Sequence, residues 1–128
     1  MATSDLGEST RISLFEVVFP SQVNHLGTLF GGIALQWMDR AAWICATRFT
    51  RKTMVTIASD EIVFKQPVRQ GAMVELIASV AEVGRTSVRI EVELYCEEPL
   101  SGERMLATHG HFTMVAVDKE GRKVAVRS

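Results

Sequence analysis

From Leu29 to Ala46 a run of apolar and small residues is broken by three strongly polar side chains, Gln36, Asp39 and Arg40. A segment so long and so apolar predicts a helix that is covered on several sides. It is too short, and too charged at its middle, to cross a bilayer, which asks for ~20 predominantly apolar residues. Beyond the helix the period changes. Thr86 to Cys96 alternates, with Val88, Ile90, Val92 and Leu94 on one face and Arg89, Glu91 and Glu93 on the other, and so predicts a half-buried strand. Ser13–Phe19, Met54–Phe64, Val74–Val83 and Met105–Val117 predict four more, with Ser59, Asp60 and Glu61 marking a bulge in the second of these. Turn signals separate them at Lys65 to Gly71, Gly84-Arg85, Pro99 to Gly102 and Asp118 to Arg122. Short links favour antiparallel neighbours, because parallel ones need long crossovers. The expected architecture is α+β: one long central helix packed on an antiparallel sheet of about five strands.

Composition narrows the setting. With 128 residues, 47% apolar and 23% charged, the chain suits one compact domain, expected over residues 11–126, behind a flexible tail at residues 1–10. Met1 to Ser9 is polar, carries Asp5 and Glu8, and lacks the apolar stretch of a signal peptide. A net charge of −1, with Lys and Arg scattered rather than striped, argues against nucleic acid as a partner. No membrane association is expected either. Cys45 and Cys96 are too few for a disulfide framework and have no CxxC spacing, which fits a reducing, cytoplasmic compartment.

The candidate chemistry lies on the helix. Gly31 and Gly32 each cost roughly 1 kcal/mol of helix stability against Ala, so a pair near the start asks for a reason, and close approach of another group to bare backbone is the usual one. First-turn N–H groups lack intrahelical partners and carry the positive end of the macrodipole, so they can stabilise charge developing on a carbonyl oxygen. Asp39 follows Gly31 by eight residues, roughly 12 Å along the axis at ~1.5 Å per residue. One reacting carbonyl cannot touch both, since a base and an oxyanion donor must each come within about 3 Å of their targets. If both groups serve one reaction they come from two chains, as two antiparallel helices across a twofold axis would allow.

Other residues carry competing readings. Asp39 could instead pair with Arg40, although adjacent helix positions do not face each other. Asn24 could cap a turn, or its amide could hold a water or a carbonyl oxygen. His25 reads as a loop residue. His109 and His111 alternate along a strand and point to one side, yet two histidines do not make a metal site, and no metal is expected. Cys45 reads as core rather than nucleophile, having no evident cation to favour its thiolate.

Four motifs occur in order: Asn24-x-x-Gly27-x-x-x-Gly31-Gly32 with Met38-Asp39; Asp60-x-x-x-Phe64-x-x-Pro67-Val68; Val83-Gly84-Arg85-Thr86-Ser87; and Val115-Ala116-Val117-Asp118 with Gly121-Arg122. Through them the chain, from about Arg11 to Val126, resembles the acyl-CoA thioesterases of the hotdog fold, particularly the small bacterial single-domain type. The resemblance implies a sheet wrapped around the helix, a homodimer joined through edge strands, and often a trimer of such dimers, a hexamer. It implies hydrolysis of acyl-CoA to a free acid and CoA, within fatty acid metabolism, with no cofactor beyond the CoA of substrate and product. It further implies that Asp39 activates water or attacks the carbonyl, that Asn24 acts from the neighbouring subunit, and that a backbone N–H of Gly31 or Gly32 holds the oxyanion. The chain departs from relatives in its tail, where Lys123-Val124-Ala125-Val126 stands in place of a frequent proline.

Given a CoA substrate, Gly84-Arg85-Thr86-Ser87 becomes more than a hairpin turn, because its cation and hydroxyls suit a pyrophosphate and a 3′-phosphate. Lys65 is a second candidate for CoA contact, whereas Arg69 reads as solvated charge. The acyl chain is expected along the helix, near Leu35, Trp37 or Trp43. Two alternatives stand beside hydrolysis: an acyl-thioester hydratase of the same fold, whose paired Asp and His motif is not found here, and a non-catalytic acyl-CoA sensor.

Overall fold

The computed structural model describes residues 11–127, so the tail expected at residues 1–10 lies outside the described residues. Strand β1 (Arg11–Val17) leads through a one-turn 3-10 helix (Pro20–Gln22) into helix α1 (Gly31–Thr50). Then follow β2 (Thr53–Phe64), β3 (Met73–Val83), β4 (Ser87–Glu97) and β5 (Arg104–Val117). The sheet order is β1-β3-β4-β5-β2, with every pair antiparallel. The architecture is therefore the expected α+β one, a long helix packed against a five-stranded antiparallel sheet, with α1 touching every strand.

Strict alternation explains the sheet's two faces. Val88, Ile90, Val92 and Leu94 of β4 are fully buried and meet Met114, Phe112, Gly110 and Thr108 of β5 across the ladder. With Val74, Leu76 and Ala78 of β3 they form the floor on which α1 rests Ala34, Trp37, Met38, Ala41, Ala42, Cys45 and Ala46. Arg89, Glu91 and Glu93 lie on the opposite face, as the period of two requires.

Helix α1 differs from its expected span. It begins at Gly31 rather than Leu29, because the Leu29 N–H is taken by the Val68 carbonyl at 2.7 Å, and it runs on to Thr50. Arg51 closes it in the left-handed region at φ 56, its N–H bonded to the Thr47 carbonyl at 2.6 Å. The helix is also not covered all round. Gly31, Gly32, Gln36, Arg40 and Trp43 are exposed, so a strip of α1 faces outward within one chain.

Strand β2 forms one edge of the sheet and carries two irregularities. Register shifts occur between Thr56 and Ala58 and between Asp60 and Val63, the second at the expected place. There Glu61 adopts φ 54 and Ile62 folds over Gly110 of β5, a position where a Cβ would lie 3.2 Å from the Ile62 Cα. The bare glycine is what lets Ile62 of the bulged strand lie so close to its neighbour β5.

Candidate active site

Asp39 sits near the middle of α1, half-buried, at the point where the helix passes β2. The Thr56 hydroxyl donates to Asp39 Oδ1 at 2.7 Å. Arg40 turns the other way, towards Glu16 at 3.9 Å, so the neighbouring pair considered from sequence does not form. The carboxylate is thus held by one hydroxyl rather than neutralised by a cation. One turn further along, the Trp43 indole N–H donates to the Met54 carbonyl at 3.1 Å, which fixes a half-exposed ring on the same side of the helix.

The front end of α1 makes a second centre. Gly31 lies against Phe64, whose ring carbons would be 3.5 and 3.6 Å from an added Cβ, while nothing in the chain comes within 4 Å of one at Gly32. A cleft of about 340 Å³ opens here, bounded by Leu29, Gly31 and Ala34 on the helix side and by Phe64 to Val68 and Thr108 on the other. Lys65 stands exposed at this cleft. Asn24 belongs to the same end: its Oδ1 accepts from the Leu26 N–H at 2.9 Å, the Thr28 N–H at 3.2 Å and the Thr28 hydroxyl at 3.1 Å. That is a turn-stabilising role, and it leaves the amide nitrogen as the side chain's outward donor.

Gly84 to Ser87 lies elsewhere. Ser87 pairs with Val115, which pairs with Val55, whereas Phe64 at the far end of β2 pairs with Thr108. The Arg85 turn and the Lys65 cleft are therefore at opposite ends of the sheet, separated by a distance on the order of 25 Å at ~3.3 Å per strand residue. One chain does not bring these two cations together. The turn has a companion that sequence reasoning missed: the C-terminal segment docks on it, the Val126 N–H donating to the Arg85 carbonyl at 2.9 Å, and Arg127 joins Arg85 around a cleft of about 390 Å³. The Arg127 guanidinium lies 5.7 Å from the Phe49 ring centre.

The remaining candidates sit apart from these centres. His111, on the outer sheet face, places Nδ1 3.0 Å from Glu61 Oε1 without the angle of a hydrogen bond, and Arg89 contacts Glu61 at 3.1 Å and Asp60 at 3.3 Å. His109 lies two positions along the same face of β5. His25 is exposed. Cys45 is wholly buried, and burial pushes its thiol up to about 11 against a weaker opposing pull from Arg48. A thiol so placed is a poor nucleophile near neutral pH. Of the residues expected along an acyl chain, Trp37 is buried in the core, Leu35 packs partly against it, and Trp43 alone of the three is exposed.

Two centres thus lie on one helix, an anchored carboxylate and an amide end with a cleft, and Thr56 is the partner that sequence reasoning missed. No local pattern singles it out among the hydroxyls of β2, since its contact with Asp39 spans seventeen positions.

The thioesterase superfamily model matches residues 26–103. An uncharacterised acyl-CoA thioester hydrolase of Zymomonas mobilis is 37% identical over 110 residues, which is 86% of this chain and 74% of that protein. Among solved structures, a hexameric acyl-CoA thioesterase superposes with a TM-score of 0.90 at 36% identity, over 95% of this chain and 78% of that one. An acyl-CoA hydrolase of Staphylococcus aureus, solved with butyryl-CoA and CoA, superposes at 0.88 with 28% identity, over 96% of this chain and 74% of that one. Alanine variants of the latter replace an asparagine, an aspartate and a threonine. The asparagine precedes the aspartate by fifteen positions and the threonine follows it by seventeen, the same intervals that separate Asn24, Asp39 and Thr56 here.

Proposed function

The chain belongs to the thioesterase superfamily, and from that premise we infer that it hydrolyses acyl-CoA thioesters to a free carboxylic acid and CoA. The observation that carries the reading is the Asp39 carboxylate on an otherwise apolar stretch of helix, tied to Thr56 at 2.7 Å with the spacing of the residues altered in the S. aureus hydrolase. Thr56 occupies one carboxylate oxygen and orients the other for water. Asp39 then takes a proton from that water as it adds to the thioester carbonyl and the CoA thiolate leaves, or attacks the carbonyl itself, expelling the thiolate and leaving an acyl-aspartyl anhydride that water then hydrolyses to the free acid. The reaction needs water and no metal or organic cofactor.

The oxyanion falls to the N–H groups of Gly31 and Gly32 of the partner in a homodimer. Support comes from β2, an edge strand on which Val55, Ile57, Val63 and Phe64 are exposed, a liability for a monomer. Antiparallel pairing of two β2 edges about a twofold axis brings the helix front of one protomer towards the partner's Asp39. The same rotation carries the partner's Arg85 turn towards the Lys65 cleft. Asn24 completes the site from the glycine side through its amide nitrogen. Lys65 takes one phosphate region of CoA, and Gly84, Arg85, Thr86 and Ser87 take another, with Arg127 beside them. Three such dimers form a hexamer, a reading that the hexameric relative supports. The setting is cytoplasmic and the acids released enter fatty acid metabolism; among the described residues no helix is long and apolar enough to cross a membrane.

The test is thiol release from a panel of acyl-CoAs. CoA appearing in step with free acid supports hydrolysis. An altered acyl group still attached to CoA would instead indicate a hydratase, and binding without turnover a sensor.

A further inference from the structure

Thr108 is the one polar residue among the described residues that is almost wholly buried, at 2% exposure. It faces Leu94 of β4 and Phe64 of β2 across the ladder, which sets its side chain on the helix side of the sheet. There it lines the cleft beside Gly31, whose other walls, Leu29, Ala34, Phe64, Pro67 and Val68, are apolar. Lys65 and Gln66 stand at the same cleft but are exposed.

A mostly apolar cleft with a single buried hydroxyl discriminates between the two halves of an acyl-CoA. A hydrocarbon chain would fill the volume but would cut the hydroxyl off from water and give it nothing in return, which is costly. The pantetheine arm is different: a slender, largely apolar chain interrupted by amides, each able to accept or donate one hydrogen bond. The cleft also has a cation at its exposed side, Lys65, and the amide end of α1 within it, so an arm entering past Lys65 would deliver a thioester to Gly31. We propose that this cleft holds the pantetheine arm and that the Thr108 hydroxyl hydrogen-bonds one of its amides, making Thr108 a binding residue for the CoA half of the substrate. The inference rests on the acyl-CoA reading above.

The experiment measures binding of CoA and of adenosine 3′,5′-bisphosphate, which lacks the arm, to wild type, Thr108→Val and Thr108→Ser, with thermal melting of each variant as a folding check. Valine keeps the shape and removes the hydroxyl; serine keeps the hydroxyl. Expected is a Kd for CoA about tenfold weaker in Thr108→Val, near wild type in Thr108→Ser, and the bisphosphate Kd unmoved in both, on the order of one lost buried hydrogen bond. An unchanged CoA affinity in a folded Thr108→Val overturns the assignment. So does an equal loss for the bisphosphate, which would mean that the substitution acts through the fold. If wild type itself binds no CoA, the acyl-CoA reading fails and this inference fails with it, an outcome distinct from the other two.

Discussion

Thr56 Oγ1 stands 2.7 Å from Asp39 Oδ1, and this contact joins the edge strand to the middle of the helix through the one acid on its apolar stretch. Thr56 is exposed and Asp39 only half-buried within a single chain, so the pair is poised near a surface rather than sealed in a core. Asp39→Asn keeps the shape and the hydrogen bond acceptor but removes the base. It should lower kcat by at least ~10²-fold, the low end for general base catalysis, with little change in melting temperature. Thr56→Val should cost less, roughly tenfold, because the carboxylate remains and only its orientation loosens. Thiol release under saturating acyl-CoA reads both. Turnover near wild type in a folded Asp39→Asn would remove the carboxylate from the mechanism.

Gly32 offers a cleaner test of the two-chain site. Nothing in its own chain would meet an added Cβ, and alanine is the better helix former, so Gly32→Ala should melt at or slightly above the wild-type temperature, by up to ~1 kcal/mol of stability. If the partner's carboxylate and the substrate approach this backbone, the new methyl stands where they must come. The expected result is a stable, dimeric protein with activity down at least tenfold. Full activity would show that no group from outside the chain uses that space.

Much of this was legible in the amino-acid order, and the parts that were not have physical reasons. The strict alternation of Val88 to Leu94 located β4 to within a residue, because a period of two tolerates no slip when one face is buried. The bulge at Asp60 and Glu61 was readable because polar residues interrupt an apolar strand. The helix was misjudged at both ends, since Leu29 is apolar yet spends its N–H on Val68, a partner set by tertiary structure. Asp39 stood out as the one acid in an apolar run. Thr56 did not, because its role depends on a contact across seventeen positions that no local pattern announces. Arg127 was missed for the same reason: only the folded chain returns the C-terminus to the Arg85 turn.

The close approach of Ile62 of β2 to Gly110 of β5 predicts a stability effect far from any catalytic group. An alanine at Gly110 would place its Cβ 3.2 Å from the Ile62 Cα and overlap the Ile62 side chain; the side chain could swing aside but the backbone could not without unmaking the bulge. Gly110→Ala should therefore lose ~1–3 kcal/mol, the range for overpacking, in urea unfolding. Because β2 is the edge proposed for dimer pairing, the same variant should also dissociate more readily on dilution. A protein as stable and as dimeric as wild type would mean that the strands part without cost at this point.

Arg85 is exposed on its turn, at the opposite end of the sheet from the Gly31 cleft, so it can contribute to binding of the remote phosphates but not to the chemical step within its own chain. Interactions made equally in ground and transition states change KM and leave kcat. Arg85→Ala should raise KM for acyl-CoA several-fold with kcat within twofold. Arg127→Ala, on the other side of the same cleft, should behave alike but more weakly, its cation also being engaged over Phe49. Steady-state kinetics on acyl-CoA and on an acyl-pantetheine lacking the nucleotide separates the two roles, since neither substitution should affect the shorter substrate. A fall in kcat with KM unmoved would contradict a purely binding role.

Cys45 is wholly buried in the helix. Burial raises its thiol from 9.0 to about 11, so the folded protein holds the proton more tightly than the unfolded chain does. The unfolded state therefore ionises first, and the stabilising contribution of the neutral thiol is complete below pH 9. Between pH 9 and about 11 unfolding releases that proton and stability falls by linkage. Cys45→Ala should flatten the decline in melting temperature across this window while lowering stability at pH 7 through the cavity it leaves. The same burial predicts protection: iodoacetamide at pH 7.5 should modify Cys96, which is only half-buried, well before Cys45, and acyl-CoA hydrolysis should survive labelling. Rapid labelling of Cys45 in the folded protein, with loss of activity in proportion, would mean that the helix opens on the timescale of the experiment and would return the thiol to the list of candidate nucleophiles.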